Sequence, residues 1–118
     1  MTSDQLIQQV ASQVPEKDLR EIVRRIVEVA DPEKILLFGS AARGTMGPNS
    51  DLDLLVIKRG DYHHITVAQE IYSGLEDFDY AVDVIVNTPE ELERYKDSVA
   101  LVLYPATREG IVVYERAG

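Results

Sequence analysis

Apolar residues recur along this chain with two different periods, and the alternation between them outlines the fold. From Lys17 to Ala30, the residues Leu19, Ile22, Val23, Ile26, Val27 and Ala30 fall three and four apart, the spacing of a helix with one buried face, and Asp31-Pro32 closes it. Ile35 to Phe38 is a short apolar run cut off by Gly39, as a buried strand would be. "DLDLLVIK" reads as a second strand: apart from its aspartates it is apolar on both faces, Leu52, Leu54 and Val56 on one and Leu55 and Ile57 on the other, so layers should cover both sides of its sheet. Ile65, Ala68, Ile71, Tyr72 and Leu75 return to helical spacing over 64–76, and "YAVDVIVN" to a β-branched strand. Thr88-Pro89-Glu90-Glu91 is a helix start, with Thr88 as cap, Pro89 in the first turn and Glu91 placed to close a capping box, and helical character runs on, with or without a break, to about Arg108. Gly110 stops it before a last strand, "IVVYE". A weaker signal, Thr2 with Gln5, suggests a further helix over 3–13 ended by Pro15.

Helix, strand, glycine turn, strand, helix, strand, helix, strand is the order of an α/β or α+β fold: a mixed sheet of about four strands with flanking helices. The 118 residues suit one domain with a single core, residues 1–15 being its least specified part. Twelve Lys and Arg against twenty-one Asp and Glu give a net charge of −9, a field that repels polyanions and argues against direct nucleic-acid binding. Cysteine is absent, which excludes disulfides and thiolate metal sites. The first residues lack the pattern of a signal peptide and the apolar runs are too short to span a bilayer, so a cytoplasmic location with no membrane association is expected.

The chemistry gathers in "FGSAARGTMGPNSDLDLL". Two residues apart in a strand, Asp51 and Asp53 point to the same side with Cα atoms roughly 6–7 Å apart. Like charges so placed repel, and a divalent cation resolves the conflict; hard oxygen ligands without His or Cys select Mg²⁺ or Mn²⁺. Asp83 stands among core-type residues in Val82-Asp83-Val84-Ile85-Val86, and if its strand lies beside the 52–58 strand it joins the pair. Blander readings exist: Ser50-Asp51 merely ends a turn, or Asp83 pairs with a buried Arg such as Arg43. The first leaves Asp53 and Asp83 unexplained. Gly39 lets the chain turn sharply after its strand, so the amides of Gly39 and Ser40 can face an anion, with the Ser40 hydroxyl as a further donor and Arg43 able to reach a phosphate oxygen. The P-loop ending and the dinucleotide-binding spacing are both missing, and Gly44 and Gly47 read as ordinary loop glycines. His63 and His64 are adjacent and diverge in any regular element, which suits a loop or helix start better than a shared metal.

Gly39-Ser40, ten residues, Asp51-Leu52-Asp53, then Asp83 on a later strand closely resembles the nucleotidyltransferase superfamily of DNA polymerase β type, and in its small size the minimal nucleotidyltransferases, or MNT proteins. The likeness runs from about Ile22 to Arg116. It implies a polymerase β-like core and Mg²⁺-dependent transfer of a nucleoside monophosphate, AMP from ATP being the usual case, to a hydroxyl, with release of pyrophosphate. It assigns Asp51 and Asp53 as ligands to two metal ions, Asp83 as ligand to the catalytic ion and base for the acceptor, and Gly39 and Ser40 as holders of the β- and γ-phosphates; Arg43 is added to these, from its residue type and place in the turn, as a charge stabiliser. It further implies a HEPN-type partner protein that is both toxin and substrate. Two alternatives stand beside it: a non-catalytic antitoxin that binds through its negative charge, and a transferase acting on a small molecule such as an antibiotic, working as a homodimer whose second subunit closes the pocket.

Overall fold

A computed structural model describes residues 16–39, 52–78, 81–95 and 110–117. The suggested helix over 3–13, the turn from Ser40 to Asp51 and the continuation of the last helix toward Arg108 lie outside the described residues. Helix α1 spans Glu16–Ala30, strand β1 Lys34–Phe38, β2 Leu52–Ile57, helix α2 His64–Ser73, β3 Val82–Asn87, helix α3 Pro89–Tyr95 and β4 Ile111–Glu115. The strands form one mixed sheet in the order β3-β2-β1-β4. β1 is antiparallel to β2 and to β4, and β2 is parallel to β3, the α2 crossover supplying the length that a parallel connection needs.

Among the described residues the two sides of the sheet carry clusters of different size. α1 and α2 lie on one side, where Leu19, Ile22, Val23, Ile26 and Ala30 of α1 and Val67 and Ile71 of α2 pack on Ile35, Leu37, Leu52, Leu54, Val56, Val84 and Val86. The other side carries a small cluster, Leu36, Leu55 and Ile57, with Phe38, Ile85, Val112 and Leu92 of α3 packed against it. Both faces of β2 are therefore covered, as its apolar pattern requires.

Local chemistry sets the ends of these elements. α1 stops at Ala30 because Asp31 takes a left-handed conformation, φ 48°, and the fully buried Pro32 follows. Arg116 holds that turn, its guanidinium donating to Asp31 O at 2.8 Å and pairing with the Asp31 carboxylate. Arg25 joins α1 to the turn after α2: it donates to Gly74 O at 3.0 Å, pairs with Asp77 and with Glu21 at 3.1 Å, and lies 4.7 Å from the centre of the Phe78 ring. In α2 the buried stripe is Val67 and Ile71, with Ala68 partly covered and Leu75 buried beyond the helix end, whereas Ile65 is 63% and Tyr72 39% exposed. Ile65 and Tyr72 share the helical spacing read from the sequence but not the burial, and the Tyr72 hydroxyl meets Val84 N–H of β3.

The capping box of α3 forms in full. Thr88 N–H donates to Glu91 Oε1 at 2.9 Å and Glu91 N–H donates to Thr88 Oγ1 at 3.1 Å. Glu91 also meets His64 Nε2 at 2.6 Å and accepts from Asn87 Nδ2 at 3.3 Å, tying the starts of α2 and α3 together. Burial works to raise the Glu91 pKa, but the Thr88 backbone amide, His64 and the Thr88 hydroxyl outweigh it and hold the carboxyl down at about 2, below its ordinary 4.5. A depressed carboxylate contributes stability above its unfolded pKa and loses it as pH falls through the folded one, so this contribution should fade between about pH 4.5 and about pH 2. Glu91→Gln should accordingly be less stable than the parent at neutral pH, the gap closing across that acid window in urea unfolding series; a gap independent of pH would contradict the assignment. Thr88→Ala should cost about 1 kcal/mol in the same assay.

Candidate active site

The sheet register brings the later acid to the earlier one. Asp53 on β2 pairs across the antiparallel ladder with Phe38, the last residue of β1, and across the parallel ladder with Asp83 on β3. Register partners share a face, and alternation puts Asp53 with Leu55 and Ile57, on the side opposite α1 and α2. Asp53 and Asp83 thus stand side by side on adjacent strands, roughly 4.8 Å apart along the hydrogen-bonding direction. Asp53 is half-buried and Asp83 exposed. Exposure changes the reason for attending to Asp83: its core-type sequence neighbours suggested a buried charge in need of a partner, whereas the alternating pleat turns it outward and its register with Asp53 marks the place.

Gly39 closes the site from the β1 side. It follows directly on Phe38 with φ +72°, a conformation that favours glycine. A Cβ at Gly39 would run into Asp53 Oδ2 and come within 3.1 Å of Asp53 Cγ, so the absent side chain is what lets this carboxylate lie against the turn. Of the residues singled out in the sequence, Gly39, Asp53 and Asp83 are brought together; Ser40, Arg43 and Asp51 lie outside the described residues. Among the described residues no group of three His, Cys, Asp or Glu side chains stands together. The pair that does form offers hard oxygen donors at the spacing of adjacent strands, a set that fits a magnesium-like cation, and two like charges that such a cation would reconcile.

The histidines belong elsewhere. His63 caps α2, its Nδ1 accepting from Thr66 N–H at 3.3 Å, and His64 pairs with Glu91 beyond Asn87, four residues along β3 from Asp83. Sequence reading did not find the His64–Glu91 pair, nor the bond between Tyr72 and the β3 backbone, in which Val84 N–H donates to the Tyr72 hydroxyl at 2.8 Å. Neither has a local signal, because the partners come from different elements.

Gly39→Ala should destabilise the chain by about 1–3 kcal/mol in chemical denaturation, from the left-handed backbone and the press of the methyl group on Asp53 together. Repeating the substitution in an Asp53→Ala background should recover part of that cost. An equal cost in both backgrounds would show that the carboxylate does not press on the turn.

Comparison with known proteins bears on the family and the fold. A family model described as a nucleotidyltransferase domain matches residues 16–109. No curated protein matches the chain. Among solved structures, a protein from Sulfolobus solfataricus provisionally described as a nucleotidyltransferase is 21% identical, with a TM-score of 0.58 over 98% of this chain and 90% of that one. A toxin–antitoxin crystallised with AMP-PNP is 22% identical, TM-score 0.54, over 81% of this chain and 73% of that one. A mutant of the MntA-HpeT toxin–antitoxin is 19% identical, TM-score 0.52, over 85% and 73%. At these identities the solved structures speak for the fold, a four-stranded mixed sheet with flanking helices. No helix among the described residues is long and apolar enough to cross a membrane. With the family match running from α1 through β1, β2 and β3 and over the acidic pair, the chain belongs to the nucleotidyltransferase domain family.

Proposed function

We propose that this chain transfers AMP from ATP to a hydroxyl on a HEPN-type partner protein, and so acts as the antitoxin of a toxin–antitoxin pair. One observation carries the reading: Asp53 and Asp83 in register on one face of the sheet, with Gly39 against the Asp53 carboxylate. The choice of nucleotide and partner draws on the similar structures, one a toxin–antitoxin holding AMP-PNP, an ATP analogue, and another a toxin–antitoxin mutant in which two aspartates two residues apart, spaced like Asp51 and Asp53, are replaced by glutamate. The whole chain from 1 to 118 acts as one catalytic domain, and the docked partner completes the acceptor side of the site.

In this reading Asp51, Asp53 and Asp83 hold two magnesium ions, Mn²⁺ being an alternative. When bound, such ions stabilise the attacking and leaving oxygens of an in-line displacement. The amides of Gly39 and Ser40 take the β- and γ-phosphates, and Arg43 offsets charge that builds on the leaving group. The acceptor oxygen bonds to the α-phosphorus as the bond from that phosphorus to the β-phosphate oxygen breaks. Pyrophosphate departs with the bonding electron pair, and the acceptor proton passes to Asp83. The site lies at the starts of β2 and β3, where an exposed Asp83 can meet a macromolecular hydroxyl.

The test is incubation with labelled ATP and Mg²⁺ together with the product of a neighbouring HEPN-type gene, followed by mass spectrometry of that product. It should gain the mass of AMP, and Asp53→Asn or Asp83→Asn should each lower the transfer rate by about a hundredfold or more with an unchanged circular dichroism spectrum. A stable complex without transfer would favour a binding antitoxin, and label on an antibiotic in place of the protein would favour a small-molecule transferase. Full activity in Asp53→Asn would overturn the reading.

A further inference from the structure

Asp83 stands on an edge strand. Among the described residues β3 has a strand neighbour, β2, on one side only, so half of its backbone groups face away from that neighbour. Leu52 N–H donates to Ala81 O at 2.7 Å and Lys58 N–H to Asn87 O at 2.9 Å. In a parallel ladder these two bonds give the links with β2 to the odd-numbered residues of β3, Asp83 among them, and turn Val84 N–H outward. That amide donates to the Tyr72 hydroxyl at 2.8 Å, and the same hydroxyl lies 3.5 Å from Val84 O. Tyr72 comes from α2, which packs on the side of the sheet away from Asp83, so its ring reaches the strand edge from behind. At 39% exposure the ring contributes little to the core; its defined contact is with the one residue that follows Asp83.

We propose that Tyr72 is a positioning residue for Asp83: its hydroxyl stands in for the missing neighbour strand and keeps Asp83 level with Asp53. The two acids need unequal support. Asp53 sits on β2, laddered on both sides by β1 and β3, whereas Asp83 sits on a strand laddered on one side. A strand held from one side can slide or lift by fractions of an ångström, and a shared cation tolerates only about 0.5 Å of misplacement among its ligands. The inference rests on the proposed nucleotidyl transfer. A phenol that only shielded the strand edge from pairing with other chains would protect Val84 equally well but would leave cation affinity and catalysis untouched.

The experiment compares the parent, Tyr72→Phe and Asp83→Asn by three measurements: amide hydrogen exchange at Val84, titration with Mn²⁺ followed by its paramagnetic relaxation, and kcat and KM for ATP with the partner present. Tyr72→Phe keeps the ring and should leave exchange at Leu54 and Val56 unchanged, which verifies the fold. It should speed exchange at Val84, weaken Mn²⁺ binding by about three- to tenfold, and lower kcat by a similar factor with KM for ATP unchanged. Asp83→Asn should weaken Mn²⁺ binding further while leaving Val84 exchange slow. Faster Val84 exchange with parental Mn²⁺ affinity and kcat would overturn the proposal and leave Tyr72 an edge cap. A parent chain that neither binds Mn²⁺ nor transfers AMP would instead overturn the reading of function on which the proposal rests.

Discussion

The parallel register between β2 and β3 is the constraint on which the rest depends. Six consecutive pairs, from Leu52 with Val82 to Ile57 with Asn87, hold it. A slip by one residue would turn Asp83 toward the helices and Val84 and Val86 toward the opposite side, placing a carboxylate in the core and stranding two apolar side chains. The packing that stabilises the sheet therefore also sets the spacing of the acids, and a change that loosened one would disturb the other.

The clusters on the two sides follow from the same register. Among the described residues α1 and α2 bury one side under an apolar layer, while α3 packs on the other through Leu92. The acids stand at the starts of β2 and β3, Asp53 half-buried and Asp83 exposed. An exposed carboxylate such as Asp83 does not carry the desolvation cost of a buried charge. At the other end of the two strands polar groups knit the structure together: Glu91 receives Thr88, Asn87 and His64, and ties the entries of both flanking helices to one carboxylate.

The edges complete the arrangement. β3 is braced on its outer side by the Tyr72 hydroxyl at Val84, and the Asp31 turn that leads from α1 into β1 is gripped by Arg116, just past the end of β4. Both contacts join residues far apart in the chain, and both secure segments that frame the sheet.

Much of this was legible before any coordinates. The amphipathic face of α1, its stop at Asp31-Pro32, the four strands, the Thr88 capping box and the residue types of the site are local facts, written in a period of three to four or of two and in the turn preferences of Gly, Pro and Asp. The buried stripe of α2 was read less well: Ile65 and Tyr72 fit the spacing, but the helix presents Val67 and Ile71 to the sheet, and which face a helix turns inward depends on what it lands on. Only the tertiary structure decided that β3 lies beside β2, that Asp83 faces outward and level with Asp53, that Gly39 admits the Asp53 carboxylate, and that His64 meets Glu91 and Tyr72 meets Val84. Each of these joins separate elements, and pairings of that kind are settled by the packing of the whole core, whereas period, caps and chemical type are settled by neighbours within a turn or two.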